Sequence, residues 1–405
     1  MLTLAAHLAR LDERGELGAL RRPATVARMP RFLHTGDWQL GMTRHFLADE
    51  AQARFTAARF DAIREIGRVA EQEACEFVVV CGDVFETNQV DRRTVSRAVE
   101  ALAAISVPVF LLPGNHDPLD AGSVFRSPTF LARKPAHVVV LDDASPREVR
   151  PGLEVVGAPW TSKRPLRDLV AAAAAALEPR HGVARVMVAH GAVDTLSPDP
   201  DNPAVIRLAD AQAALAAGRY HYLALGDRHS LTQVDPAGRV WYAGSPVATD
   251  FDETHPGCAL VVDVTEEAVS TSPREIGAWR FRTETRDLMN DADLDAFERL
   301  LRGAEAKDRT VLRLVLRGAL TLRQQARLDA SLDELRDLFA AVDVWKRHSD
   351  IAVVADDGDF AGLQLSGFAQ AALERLRAQA QGSEAAARAA RDALALLVRL
   401  AGSRA

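Results

Sequence analysis

From residue 31 to about 265, short apolar runs alternate with longer amphipathic stretches. RFLHT, EFVVVC, VPVFLLP, HVVVL, LEVVGAPW, ARVMVAH, YHYLALG, VWYAG and CALVVDV are too short for helices and are bounded by Gly, Pro or Asp, so they read as strands. Between them, residues 49–74 carry Phe55, Ala58, Ile63, Ile66 and Val69 at near-helical spacing. Residues 95–105, the alanine run at 171–176 and residues 208–217 read as further helices, alanine being the best helix former. Repetition of strand, helix and strand specifies a layered α/β domain. After about 275 the pattern changes: a helix at 291–306, the strand TVLRLVLRGAL, a helix at 321–340 and the short strand DIAVV make a small α+β unit. From 366 the chain is rich in Ala, Arg, Glu and Leu and reads as two helices broken at Gly382 and Ser383, the serine being a suitable N-cap. The expected organisation is an extension (1–30), a main domain (31–275), a small domain (276–360) and a C-terminal helical segment (361–405).

Polar residues gather where the strands end. Asp37 and Gln39 follow RFLHT two residues apart, so in extended chain they point the same way. FVVVCGD ends in Asp83, VFLLPGNHD in Asn115, His116 and Asp117, RVMVAHG in His190, and YLALGDRH in Asp227, Arg228 and His229. In α/β sheets the strand C-termini lie along one edge, where loops converge on a crevice. One Gly-Asp after a strand is ordinarily a turn, and one histidine such as His190 is ordinarily a core or surface residue. Five such ends, spread over about 190 residues, are poorly explained as turns and point to a metal-binding crevice.

Composition narrows the partners. The 405 residues are 48% hydrophobic and 26% charged, with a net charge of −7, so nucleic acid would have to be met by a local patch or by metal ions. Cys75, Cys81 and Cys258 form no disulfide framework and no CxxC pair, which suits buried thiols in a cytoplasmic protein. No apolar run approaches the roughly 18 residues of a membrane span. The first 22 residues do not resemble a secretory signal; they read either as an amphipathic helix, with Leu2, Ala5, Leu8 and Leu11 on one face, or as untranslated sequence ahead of a start at Met29.

GDWQLG, CGDVFE, PGNHD, AHG and GDRH, in this order and spacing, resemble the five motifs of the calcineurin-like metallophosphoesterases. CGDVFETNQVD, VPVFLLPGNHDPLD and YAGSP most resemble the SbcD branch of DNA-repair exonucleases, and the resemblance covers residues 31–265. It implies a layered β-sandwich flanked by helices, a small α+β cap and C-terminal helices. It also implies two divalent ions bridged by Asp83, with Asp37, Gln39 and His229 completing one and Asn115, His190 and Asp227 the other. His116 would act on the leaving group or the phosphate charge, and Asp117 would orient it. Oxygen and imidazole donors suit Mn²⁺, and a close pair of ions polarises a phosphodiester and activates water. Two positions depart from the family: Gln39 and Asp227 stand where histidines are usual, so the site is either retuned toward oxygen ligands or short of an ion.

Further expectations are softer. In APWTSKRP, Trp160 with Lys163 and Arg164 would stack a base and hold phosphate, unless the stretch is a surface loop with one buried tryptophan. Arg228 would steer phosphate, whereas DVWKRH reads as a solvated face. The resemblance implies DNA as substrate, an SbcC-like ATPase as partner and a homodimer. Leu373, Leu376, Leu394, Leu397 and Val398 recur at helical spacing and would dock the partner, or else pack on their own cap. The apolar face of the helix at 91–104 is the candidate dimer surface. A small-molecule phosphodiesterase or phosphatase, or an inert scaffold, are the competing functions on the same fold.

Overall fold

The computed structural model describes residues 30–354 apart from 198, 200, 266 and 267, then residues 367–380 and isolated positions between 387 and 396. The extension before residue 30, Ser383, Leu397 and Val398 lie outside the described residues. In chain order the main domain runs β1 (Arg31–Thr35), α1 (Asp49–Gln72), β2 (Phe77–Val80), α2 (Arg92–Ala103), β3 (Val109–Leu111), α3 (Pro128–Arg133), β4 (Val138–Val140), β5 (Arg147–Arg150) and β6 (Leu153–Ala158). It continues with α4 (Leu169–Ala175), β7 (Ala184–His190), α5 (Leu208–Ala216), β8 (Tyr222–Gly226), β9 (Thr232–Gln233), β10 (Val240–Tyr242), β11 (Cys258–Val264) and β12 (Val269–Glu275).

These strands form two six-stranded sheets, ordered β12-β11-β1-β2-β3-β4 and β5-β6-β7-β8-β10-β9. Alternation along each strand sorts the layers. Phe32, Phe77, Val79 and Phe110 of the first sheet meet Val155, Val186, Val188 and Tyr222 of the second in one buried cluster. Leu33, Val78 and Val80 turn the other way onto Ile63 and Ile66 of α1 and Val95 and Leu102 of α2. On the far side, Val156, Met187 and Leu223 pack on α4 and α5 through Val170, Ala173 and Ala211. The architecture is therefore α/β, a layered β-sandwich flanked by helices. His34 lies fully buried between the sheets, within 3.1 Å of the Tyr222 hydroxyl and the Leu225 carbonyl, and burial pushes it down to about 3, so it is a neutral structural histidine.

A third sheet follows: β13 (Arg280–Leu288), β14 (Thr310–Thr321), β15 (Ala341–Val344) and β16 (Asp350–Val354), with β14 parallel to each of the others. α6 (Asp291–Arg302) and α7 (Leu322–Leu338) cover it through Leu294, Phe297, Leu328 and Leu332 on Leu312 and Leu314. A separate apolar cluster joins this cap to the main domain, bringing Met42, Phe55 and Val247 against Trp279, Val311 and Ala340. The helix α8 (Phe368–Ala380) packs Leu373 beside Leu394 on Leu322 and Ala326 of α7, with Leu376 partly buried against them. Of the leucines expected to dock a partner, those described thus meet the cap. Likewise Val95, Ala98, Val99 and Leu102 of α2 are buried in the main core, so that apolar face is not a free dimer surface. No helix among the described residues is long and apolar enough to cross a membrane.

Candidate metal centre

The strand ends of the two sheets meet at one seam. The loop after β1 is tied to the loop after β2: the Asp37 amide donates to the Gly82 carbonyl (3.1 Å) and the Gln39 amide to the Asp83 carbonyl (2.8 Å). The second sheet is joined to the first where the Asp227 amide donates to the Asp37 carboxylate at 3.0 and 3.1 Å. Asp37, Gln39, Asp83 and Asp227 all adopt positive φ (52°, 44°, 50° and 98°). Side chains rarely tolerate that region, and such conformations concentrate where function demands them. Gly114 makes the third loop possible, because a Cβ there would lie 2.2 Å from Asp83 Oδ1.

Asp37, Asp83 and His190 are buried and place one potential ligand atom each within 4.8 Å of one another. His190 Nδ1 lies 2.8 Å from the Cys81 carbonyl, which fixes the proton there and leaves Nε2 for the crevice. That Nε2 is 3.4 Å from Asp83 Oδ1 and 3.6 Å from Asp227 Oδ1. The Asn115 side-chain oxygen stands 2.8 Å from His190 Nε2 and 3.1 Å from each Asp83 oxygen. As a hydrogen-bonding arrangement this needs the amide turned over; as a set of lone pairs converging on a cation it needs no change. Gln39 repeats the pattern: its Oε1 is buried without a hydrogen-bond partner, and its Nε2 lies 3.3 Å from His229 Nε2. Donors orphaned in this way fit a divalent ion bound among them.

Charge supports that fit. Burial lifts the Asp37 carboxyl to about 6, with the charges of Asp83 and Asp227 adding to it and those of His229 and His190 opposing. Burial alone would lower His190, but the carboxylates of Asp83, Asp227 and Asp37 outweigh it and bring the ring to about 9. A cation among three carboxylates would replace the proton that this cluster otherwise attracts.

The remaining candidates fall at the rim or behind it. His116 is partly exposed, its Nδ1 2.9 Å from the Glu86 carbonyl and its Nε2 4.0 Å from Asp83 Oδ2. Asp117 does not reach that ring: it is buried and accepts the amides of Gly114 (2.8 Å) and Phe85 (2.9 Å), so it shapes the loop instead of orienting His116. Burial raises Asp117 to about 7, with the Asp83 charge adding. Trp160 is the buried tryptophan of a surface loop and not a stacking platform. Its Nε1 donates to the His190 carbonyl (2.7 Å), its ring meets His190 edge-on at 6.1 Å, and it is only 9% exposed, so it braces the site and offers no face to a base. Lys163 and Arg164 are exposed in the loop that follows. Arg228 is exposed, with Nε donating to Thr232 Oγ1 at 3.0 Å.

Several contributors carried no motif. His229 Nδ1 lies 2.7 Å from Thr249 Oγ1 and 3.2 Å from Glu253 Oε1, which turns Nε2 toward Gln39. Arg59 of α1 is buried and donates to the Trp38 carbonyl (2.7 Å) and Met42 Sδ (3.0 Å), holding the turn of GDWQLG from beneath. Its one sequence signal is position: it falls on the buried stripe of α1 with Phe55, Ala62, Ile63 and Ile66.

A family model described as calcineurin-like phosphoesterase matches residues 30–262, more than half of the chain. The SbcD subunit of the SbcCD nuclease of Bacillus subtilis (strain 168) is 27% identical over 135 residues, which is 32% of this chain and 28% of that relative's length. Among solved structures, TT1561 of Thermus thermophilus is similar with a TM-score of 0.38 and 10% identity, covering 60% of this chain and 98% of that one. A dimetal phosphatase from Danio rerio has a TM-score of 0.39 and 12% identity, covering 61% and 98%. With the five strand-end motifs gathered at one seam and the family model spanning them, the chain belongs to the calcineurin-like phosphoesterases.

Proposed function

We propose that this protein is a metal-dependent nuclease that hydrolyses phosphodiester bonds in DNA, with an SbcC-like ATPase as its partner. The observation that carries the hydrolytic reading is the buried Gln39 Oε1, left without a hydrogen-bond partner beside the Asp37, Asp83 and His190 cluster, with the Asn115 side-chain oxygen facing His190 Nε2 and both Asp83 oxygens. On this reading Asp83 would serve two divalent ions, most suitably Mn²⁺, with Asp37, Gln39 and His229 available to hold one and Asn115, His190 and Asp227 the other. Such ions supply Lewis-acid polarisation of the phosphate and activation of water. The chain's own contribution is placement. His116, at the rim beside Asp83, is placed to hold a proton for the departing oxygen at Nε2, and its Nδ1 is fixed by the Glu86 carbonyl.

Two features favour a polymer over a small ester. Immediately after the bracing Trp160, the loop carries exposed Lys163, Arg164 and Arg167 around Leu166, which is 86% exposed. A cationic loop that springs from the wall of the site suits phosphates flanking the scissile one. The α+β cap is a second feature that a small ester would not require. The Bacillus subtilis relative is named as one subunit of a nuclease, which favours a partnered enzyme. Digestion of linear duplex DNA in Mn²⁺, run beside a chromogenic phosphodiester and an EDTA control, tests the proposal. Cleavage of both substrates, lost in EDTA, is expected. Turnover of the small ester with intact DNA would overturn the nuclease reading.

A further inference from the structure

The segment after YAGSP touches both the metal centre and the cap within a few residues. At the site, His229 Nδ1 faces Thr249 Oγ1 (2.7 Å) and Glu253 Oε1 (3.2 Å). Glu253 Oε2 accepts the Thr249 amide (2.9 Å), and the Thr249 hydroxyl donates to Glu253 Oε1, so the two residues close into one clamp on the ring. Arg44 donates to the Thr249 carbonyl at 2.6 Å and Ser245 Oγ to the Asp37 carbonyl at 2.9 Å, which fastens the segment to the GDWQLG loop. Phe251, between the two clamp residues, points the other way. Its ring meets Phe281 of β13 at 5.2 Å and lies under the Arg313 guanidinium of β14 at 3.6 Å, while Trp345 is 4.7 Å from the same guanidinium.

We propose that residues 249–253 are a positioning arm that couples the seating of the cap to the orientation of His229, and so to the affinity of the ion position shared with Gln39. This rests on the metal reading above. An imidazole ligand is aimed by what its second nitrogen bonds to, and loss of such outer partners typically weakens metal binding 10–100-fold. Here the outer partners stand on a five-residue segment whose middle side chain is stacked in the cap by cation–π and aromatic contacts. Movement of the cap therefore displaces Phe251 and, through it, the clamp. By reciprocity, an ion bound at His229 steadies the cap, and anything that shifts the cap alters ion affinity by the same factor.

The test uses the full chain without DNA. Mn²⁺ titrations compare wild type with Glu253→Gln, Arg313→Ala, the milder Phe251→Leu, and Arg302→Ala as a control on the exposed side of the cap. Glu253→Gln replaces one acceptor oxygen by NH₂, so the clamp loses either the His229 or the Thr249 contact. It is expected to weaken one ion position about 10–100-fold. Arg313→Ala and Phe251→Leu are expected to weaken that same position about 3–30-fold and to leave the other unchanged. Arg302→Ala is expected to match wild type. In metal-free protein with labelled histidines, Arg313→Ala and Phe251→Leu should shift the ring resonances of His229 and not those of His190. Wild-type affinity and unmoved His229 resonances in folded Arg313→Ala and Phe251→Leu would overturn the coupling. Unchanged affinity in Glu253→Gln would overturn the clamp. Shifted His229 resonances in a chain that binds no Mn²⁺ would instead uphold the arm and sink the metal reading.

Discussion

Gly114→Ala tests the closeness of the third loop to the Asp83 carboxylate. The added Cβ would lie 2.2 Å from Asp83 Oδ1, 2.5 Å from the Asp83 amide nitrogen and 3.1 Å from Asp83 Cγ. Ordinary contact begins near 3.4 Å, so the loop or Asp83 must retreat by about an ångström. Neither yields easily. Asp117 holds the Gly114 amide at 2.8 Å, and Asp83 Oδ1 accepts the His116 amide at 3.0 Å. A misplacement of that size costs about 10²-fold in turnover. Because Asp83 and Asn115 are displaced together, Mn²⁺ affinity should fall as well. The comparison variant is Gly218→Ala, where φ is +69° and nothing lies within 4 Å of the new Cβ. It carries left-handed strain of about 1–2 kcal/mol but no crowding, so it should lower the melting temperature and spare turnover. The assay is Mn²⁺-dependent hydrolysis of a chromogenic phosphodiester, with metal titration on the same samples. If Gly114→Ala kept wild-type turnover and affinity, Asp83 would not be the carboxylate on which the centre is built.

Asp83→Ala should abolish activity and load neither ion, and a variant that still bound two Mn²⁺ per chain would remove Asp83 from the bridging position. His116→Ala should keep its metals and lose about 10²–10⁴-fold in turnover; joint loss of metal and activity would place His116 among the ligands. Gln39→His restores an imidazole beside His229 and should tighten one ion position, since a neutral amide is the weaker donor, and identical titrations would make Gln39 a bystander. Away from the site, Arg185 is buried with Nε 2.9 Å from Glu154 Oε2 and Nη1 donating to the Glu178 and Arg219 carbonyls. Arg185→Met should cost about 3 kcal/mol, the low end for a broken buried pair because Arg180 still reaches Glu154 at 2.6 Å. Urea unfolding reads that loss, and an unchanged midpoint would contradict it.

The strand ends were legible because a buried strand followed by Gly and a polar residue is written locally: Asp83, Asn115, His190 and Asp227 could be placed on one crevice from their flanking runs alone. β13 was not, since RFRTETRDL has no apolar face of its own and is a strand only by pairing with β14. For Trp160 the sequence leaves base stacking and burial both open, because its neighbours Lys163 and Arg164 are solvent residues, whereas the indole itself is fixed by the His190 carbonyl some thirty residues away. Glu253, Thr249 and Arg59 carry no motif. Their roles come from contacts such as Glu253 with His229, which exist only once the chain has closed. The fate of α8 was open in the sequence between partner and cap, and the packing of Leu373 on α7 comes from tertiary structure alone.

The seam position of the centre has a mechanical consequence. Asp37, Asp83 and Asn115 follow strands of one sheet, while His190 ends a strand of the other and Asp227 and His229 follow one, so on the proposed ligand set neither sheet alone would complete the coordination. Asp37 and Asp83 face Asp227 across the seam with the His190 ring between them, and a bound cation would take over the positive charge that this ring otherwise supplies. An ion bound there is a clasp across the sandwich, and free ion at a hundredfold excess over its dissociation constant adds about 2.7 kcal/mol to folding stability. Chelation would then release catalysis and the grip between the two halves in a single event.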